Sequence, residues 1–414
     1  MDELLDEVQP HLPALALQGA KGVGKTATAL QRVRTRFDLS DDVVRGIVAA
    51  DPAELSSAPG PVLVDEWQRL PQVWDAVRRA VDDGAPDGRF IIAGSAAPRG
   101  AVVHSGAGRI VPMRLRPLSL AERGIEIPTV SLAGLLNQDA DLGGRTTLTL
   151  RNYVEEITAS GFPGIRRRPR PVRDLTLDAY LDNVVEREFP EQGYPVRKPE
   201  TLRSWLRAYA AATASPTTYV KILAHANEAK GESPAKTTTL TYRDALSGLF
   251  LLDPVAAWNR EGSGIARLTD LPKHHLADPA LAARLLGLDE SALMRGERGT
   301  VSIDHGRILG ALFEGLVTLS VQTYAQAAQA RVFHLRTVGG EREIDLIVER
   351  PDGRMVAIEI KLAATVEADD AKHLRWIKAT LGDAVVDTIV VHCGPQAYRR
   401  DDGVGVVPAA LLGA

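Results

Sequence analysis

Residues Gly19 to Thr26 read Gly-Ala-Lys-Gly-Val-Gly-Lys-Thr and follow directly on the apolar run Leu12 to Leu17. This spacing, G-x-x-x-x-G-K-[ST], is that of a phosphate-binding loop. Glycines let the backbone wrap a polyphosphate closely, so that successive N–H groups and the start of the next helix can donate to it. On this reading Gly19, Gly22 and Gly24 shape the loop and Lys25 reaches the β- and γ-phosphates of ATP. Thr26 offers its hydroxyl to the accompanying Mg²⁺. A glycine-rich turn ending by chance in Lys-Thr does not account for strand, loop and helix in that order, the helix being expected in the Arg-dotted stretch Ala27 to Arg36.

Two further segments supply the rest of a nucleotide site. Pro61 to Glu66 is an apolar strand ending in two acids, the Walker B arrangement, in which Asp65 serves the metal and Glu66 polarises the attacking water. Arg89 to Ser95 is another apolar strand, and Ser95 at its end stands where a sensor of the γ-phosphate belongs.

A second group of acids lies far downstream. Glu343 to Glu349 and Met355 to Lys361 flank the turn Arg350-Pro-Asp-Gly-Arg354 and predict a hairpin. A five-residue loop pairs Glu349 with Met355 and sets Asp345 opposite Glu359. Ile344, Leu346, Val348, Val356, Ile358 and Ile360 then share a face that buries into a core, while Asp345, Glu359 and Lys361 share the other. Facing like charges require a compensating cation, which Lys361 or a divalent metal can supply. Such a face can take a divalent metal, or it is a solvent-facing pair of strands with mixed charges. Glu314, among the apolar residues Gly310 to Val317, lies on a core-facing helix, where an unpaired carboxylate is costly.

These residues need several domains to carry them. At 414 residues, with 45% hydrophobic and 25% charged residues, the chain is expected to hold about three globular modules in series. No apolar run approaches the ~20 residues that a membrane helix needs. The acidic start MDELLDEVQP lacks a secretory pattern, so a cytoplasmic protein is expected. The single Cys393 reads as a core residue, and so does His392. A net charge of −4 excludes a wholly basic coat for nucleic acid but leaves local patches open.

Arg166, Arg167, Arg168, Arg170 and Arg173, broken by Pro169 and Pro171, predict a stiff exposed loop, either a DNA-phosphate contact or a solvated linker. From Thr201 to Lys273 the order is three helices, then a hairpin around Glu261 to Gly264, which resembles a winged helix. Its recognition helix would be Pro234 to Arg243, with Leu246, Leu249, Phe250 and Leu251 as the buried anchor. Nine Lys and Arg against six Asp and Glu give this stretch a mild positive charge.

The loop Gly19 to Thr26, Val64 to Gln68, Ile92 to Ser95, Gly108-Arg109 and Leu115 to Glu122 resemble the AAA-family ATPases of bacteria and archaea that carry a C-terminal restriction-endonuclease-like domain. Ser160 to Pro163, Tyr180 to Arg187, and Pro272-Lys273 with Asp278 extend the resemblance over nearly the whole chain. It implies that Arg109 completes a neighbour's site in a homo-oligomer, although a plain surface arginine before Ile110-Val111 reads equally well. The layout of Asp345, Glu359 and Lys361 resembles PD-(D/E)xK nucleases, in which two acids hold Mg²⁺ or Mn²⁺, the lysine helps to position or activate water, and a preceding helix often adds an acid, for which Glu314 is the candidate.

The fold expected is an α/β multidomain chain. A P-loop AAA-type ATPase domain covers residues 1–150, a helical linker 151–200, a winged helix 201–273 and a restriction-endonuclease-like domain 274–414. The function expected is a Mg²⁺-dependent ATPase gating a DNA nuclease. The alternative is an ATP-controlled interaction switch whose nuclease-like fold binds protein or nucleic acid without cutting.

Overall fold

The computed structural model describes residues 1–96, 108–194, 198–228, 236–259, 265, 268–295 and 305–414. The chain forms two compact units, and the expected boundaries at 150, 200 and 273 do not coincide with them.

The first unit comprises Met1–Arg116, Val184–Val196 and Arg243–Leu251. Its sheet contains β1 (Ala14–Gln18), β2 (Thr35–Asp38), β3 (Val62–Asp65), β4 (Phe90–Gly94) and β5 (Val111–Arg114), all parallel, in the order β2-β3-β4-β1-β5. The central strands read as continuous apolar runs because both faces are covered. Ala14, Val62, Val64 and Ile92 pack with Val73, Trp74 and Val77 of the helix Gln72–Asp82. Leu15, Leu17, Leu63 and Ile91 pack with Leu5 and Ala29 on the opposite pleat. The helix expected over Ala27 to Arg36 is shorter, Lys25–Leu30, because the β-branched and aromatic residues of Thr35–Asp38 form β2 instead.

The second unit comprises Pro117–Asn183, Arg197–Tyr242 and Leu252–Ala414. Its strands are β6 (Val130–Ser131), β7 (Ala256–Ala257), β8 (Arg331–Arg336), β9 (Glu343–Glu349), β10 (Met355–Lys361), β11 (Val385–His392), β12 (Tyr398–Arg399), β13 (Gly405–Pro408) and β14 (Leu412–Gly413). Seven of them form a mixed sheet in the order β12-β13-β11-β10-β9-β8-β7, and β14 pairs separately with β6. The β9–β10 register runs from Met355 opposite Glu349 to Ile358 opposite Leu346, as the turn dictates.

Both faces of this hairpin are covered, whereas the sequence suggests only one. Ile347, Met355 and Ala357 pack with Leu374 and Ile377 of the helix Lys372–Leu381, and Leu346, Val348, Val356 and Ile358 are equally buried. The helix His305–Ala327 packs on β8 and β10. Contrary to expectation it is long and apolar enough to cross a bilayer, but 78% of that apolar stretch is buried inside the protein. It therefore serves here as a core helix.

Helices Pro199–Ala211, Tyr219–Glu228 and Lys236–Gly248 occupy the stretch read as a winged helix. Leu252 and Val255 pair antiparallel with Leu276 and Lys273, and the hairpin tip at Glu261 to Gly264 lies outside the described residues. These flanks do not form a free wing, because β7 is annexed to β8 of the large sheet. Leu246, Leu249 and Leu251 are buried as expected, while the Phe250 ring lies under the Arg114 guanidinium.

The arginine run also differs from expectation. Pro171 sits in the first turn of the helix Arg170–Asn183, where its missing N–H costs nothing, so the prolines begin a helix rather than forbid one. Arg166 forms a two-pronged pair with Glu156 at 2.7 and 3.0 Å, and Arg170 reaches Glu290 and Asp289. Two of the five arginines are thus engaged by acids of the same unit.

Asp278, from the sequence resemblance, is fully buried and caps the helix Pro279–Leu285. Its carboxylate accepts from Ser160 Oγ, the Gly161 N–H and the Ala280 N–H, so it joins the two motif segments structurally. Nearby His275 is buried with neither ring nitrogen hydrogen-bonded, and burial, reinforced by Lys273, lowers its pKa to about 3.

A depressed histidine pKa stabilises the fold above the unfolded value and loses that contribution as pH falls below it. This one group should cost roughly 1 kcal/mol at about pH 5.5. Denaturation midpoints from pH 7.5 to 5 are expected to fall more steeply in the wild type than in His275→Leu.

Candidate active site

The inserted strand β4 brings the nucleotide residues together. Leu17 lies beside Ala93, and Ala93 beside Asp65, so the loop after β1, the acids of β3 and Ser95 after β4 share one edge of the sheet. Gly22 and Gly24 have φ of 85° and 105°, the left-handed region where a side chain is disfavoured. Within that loop the buried Lys25 Nζ donates to the carbonyls of Gly19 and Ala20 at 2.7 and 2.9 Å. Burial lowers its pKa to about 8, against the pull of Glu66, Asp65 and Glu188. An ammonium held dry and facing acids is poised to gain from an incoming polyphosphate.

Thr26 Oγ1 donates to Asp65 Oδ1 at 3.1 Å. A hydroxyl and a buried carboxylate in contact form the hard-oxygen donor set that suits Mg²⁺. Three participants escape a linear reading. Arg36 on β2 pairs with Asp65 Oδ2 at 2.7 Å; Glu188 lies 3.7 Å from Lys21; and Gln68 Nε2 lies 2.6 Å from Glu66 Oε2 and 3.3 Å from Ser95 Oγ. Strand adjacency gives the first, but nothing in the spacing announces Glu188. Arg109 is half-exposed and ion-paired with Asp82 at the end of the helix Gln72–Asp82.

The second cluster forms around a cation that the sequence reading overlooks. Lys273 Nζ, almost wholly buried, lies 2.8 Å from Glu314 Oε1, 2.9 Å from Asp345 Oδ1 and 3.4 Å from Glu343 Oε1. Asp345 Oδ2 accepts the Ile360 N–H at 2.9 Å, in line with the expected facing of Asp345 and Glu359. Burial opposes the charge of Asp345, but Lys273 and that N–H outweigh it and hold the carboxyl below its usual range. Burial pushes Glu314 up to about 8 despite Lys273. Glu359 is raised to about 7 by burial and by Asp345; it lies 3.4 Å from Lys361, and its Oε1 has no hydrogen bond and faces His373 at 3.8 Å.

The sequence assigns Glu314, Asp345 and Glu359 to a metal. The structure gathers them, but Lys273 stands where a cation is needed, and both Asp345 oxygens are taken. Among the described residues no set of three His, Cys, Asp or Glu side chains is arranged to hold an ion. The dipeptide Pro272-Lys273 was the available signal, lacking only its destination.

Residues 11–123 match the model of the AAA domain family, and the N-terminal module is an AAA-like P-loop ATPase domain within a mixed α/β chain. Residues 150–292 and 309–412 match two domains of unknown function, DUF8612 and DUF4143. Uncharacterised proteins of Mycobacterium bovis and Mycobacterium tuberculosis are each 26% identical over 404 residues, spanning 96% of this chain and 80% of theirs. A Walker-type ATPase structure from Pyrococcus abyssi aligns with a TM-score of 0.40 and 14% identity, covering 69% of this chain and 94% of that one.

Removing the buried ammonium strands its carboxyl partners, so Lys273→Met should destabilise the protein by about 3–5 kcal/mol. Lys361→Met, whose side chain is 35% exposed, should cost less than about 1 kcal/mol. Chemical denaturation of the two variants measures the contrast.

Proposed function

We propose that this chain is a Mg²⁺-dependent cytoplasmic ATPase, assembled as an oligomer, whose nucleotide state switches what its nuclease-like C-terminal half binds. The observation that carries the ATPase reading is the 3.1 Å contact of Thr26 with Asp65 beside the buried Lys25. ATP brings the phosphoanhydride and its bound Mg²⁺ brings a Lewis acid. Lys25 neutralises phosphate charge, Thr26 and Asp65 hold the cation, Glu66 orients water, and Ser95 reads the third phosphate. Arg109 is the candidate to act on a neighbouring subunit.

The binding-switch reading of the C-terminal half is favoured by Lys273, because a cluster that carries its own ammonium has no need of a metal. A partner could be protein or DNA. The second reading, DNA cleavage gated by ATP at Asp345, Glu359 and Lys361, is favoured by the buried Glu359 Oε1, which has no hydrogen bond, and by the nearness of Lys361.

Lys25→Ala is expected to abolish ATP binding by calorimetry. Glu66→Gln should bind ATP normally and turn it over at least about 100-fold more slowly. Phosphate release should cease in EDTA; turnover without Mg²⁺ would count against the reading.

Labelled linear, forked and four-way DNA incubated with Mn²⁺ or Mg²⁺, with and without ATP, decides between the two C-terminal readings. No cleavage is expected. Cutting that disappears in Glu359→Ala would establish the nuclease.

A further inference from the structure

Immediately after β3 the chain takes an uncommon path. Glu66 has φ 54° and ψ 42°, the left-handed region that costs a residue with a Cβ on the order of 1 kcal/mol. A single tight turn, Trp67–Arg69, follows. Trp67 is buried with its ring 4.9 Å from that of Trp74, which anchors the turn on the helix Gln72–Asp82. Gly94 accepts this arrangement only because it has no side chain: a Cβ there would lie 2.5 Å from the Trp67 ring and 2.6 Å from Gln68 Oε1. The strained backbone, the packed tryptophan and the bare glycine together press the Gln68 amide onto the end of β4.

There the amide touches two groups assigned to the reaction. Nε2 donates to Glu66 Oε2 at 2.6 Å and to Ser95 Oγ at 3.3 Å. The amide orientation follows from charge, since its oxygen turned toward Glu66 would face a carboxylate. Gln68 Oε1 is left buried without a hydrogen bond, a cost that a purely structural glutamine has no reason to bear. Among the described residues, Gln68 supplies the hydrogen bond that fixes the Glu66 carboxylate.

We propose that Gln68 is a positioning residue for ATP hydrolysis, holding the Glu66 carboxylate at the Ser95 end of the site through one bridging amide. The inference rests on the ATPase reading. A nucleotide contact made at Ser95 is transmitted through the same amide to the group that orients water, so that Glu66 is aligned when Ser95 is engaged. Gln68 acts through Glu66 and needs no contact with the nucleotide itself.

The test is a double-variant cycle on the full chain, reading steady-state phosphate release and, separately, ATP affinity by calorimetry. Gln68→Leu and the near-isosteric Gln68→Glu are each expected to lower kcat about 10- to 100-fold with nucleotide Kd within about twofold of wild type. Gln68→Leu combined with Glu66→Gln should be no slower than Glu66→Gln alone, because both remove the same function. Equal losses in an additive double variant would mean that Gln68 only supports the fold, and wild-type kcat in both single variants would overturn the inference outright. If one variant fails to fold by thermal melting, the other carries the comparison. A wild type that binds ATP without hydrolysing it would overturn the ATPase reading and this inference with it, whereas an active wild type with unaffected variants sinks the inference alone.

Discussion

The hydrogen-bond ladder that holds β4 between β1 and β3 is the constraint on which the nucleotide end depends. Sequence order would set β2 directly beside β1, but the sheet runs β2-β3-β4-β1-β5. The inserted strand delivers Ser95 between the loop that carries Lys25 and the acids at the end of β3. Parallel strands buried on both faces permit little slippage of register, so the spacing of these groups is fixed by backbone rather than by flexible side chains. The apolar runs that look like mere core are what give the polar residues at their ends a position.

In the second unit the corresponding constraint is electrostatic. Asp345, Glu314 and Glu343 converge on Lys273, and the balance is local and incomplete: Glu314 is raised to about 8 by burial although it touches the ammonium. Lys273 also belongs to the strand-like segment paired with Val255, so the same residue that balances charge ties that segment to β9. A cation recruited from the chain itself makes the cluster part of the fold.

Much of this was legible in the sequence where local pattern governs. The glycine spacing, the apolar runs before Asp65 and Ser95, and the five-residue turn that sets Met355 opposite Glu349 all report short-range geometry. What escaped depends on contacts between remote segments. Glu188 reaches the neighbourhood of Lys25 from a stretch more than a hundred residues downstream, and Lys273 reaches Asp345 across 72 positions. Pro171 was misread because proline breaks a helix interior but suits a first turn, and the choice between those roles was made by where the helix Arg170–Asn183 begins. The second face of the β9–β10 hairpin looked open because the covering helix Lys372–Leu381 has no signature pointing to its target.

The end of the chain returns to a distant beginning. Leu412–Gly413 pairs with Val130–Ser131, the Thr129 N–H reaches the Leu411 carbonyl, and Ser131 Oγ reaches the carbonyl of Ala414. On a ribosome, residues near 130 therefore emerge long before their partners exist, and the second unit cannot close its β6–β14 pair until Leu412 and Gly413 have been made. The first unit also includes a late segment, Arg243–Leu251. Neither half can finish as a simple N-terminal module during synthesis, so the order of translation sets a delay in which exposed strand edges must be kept from pairing with other chains.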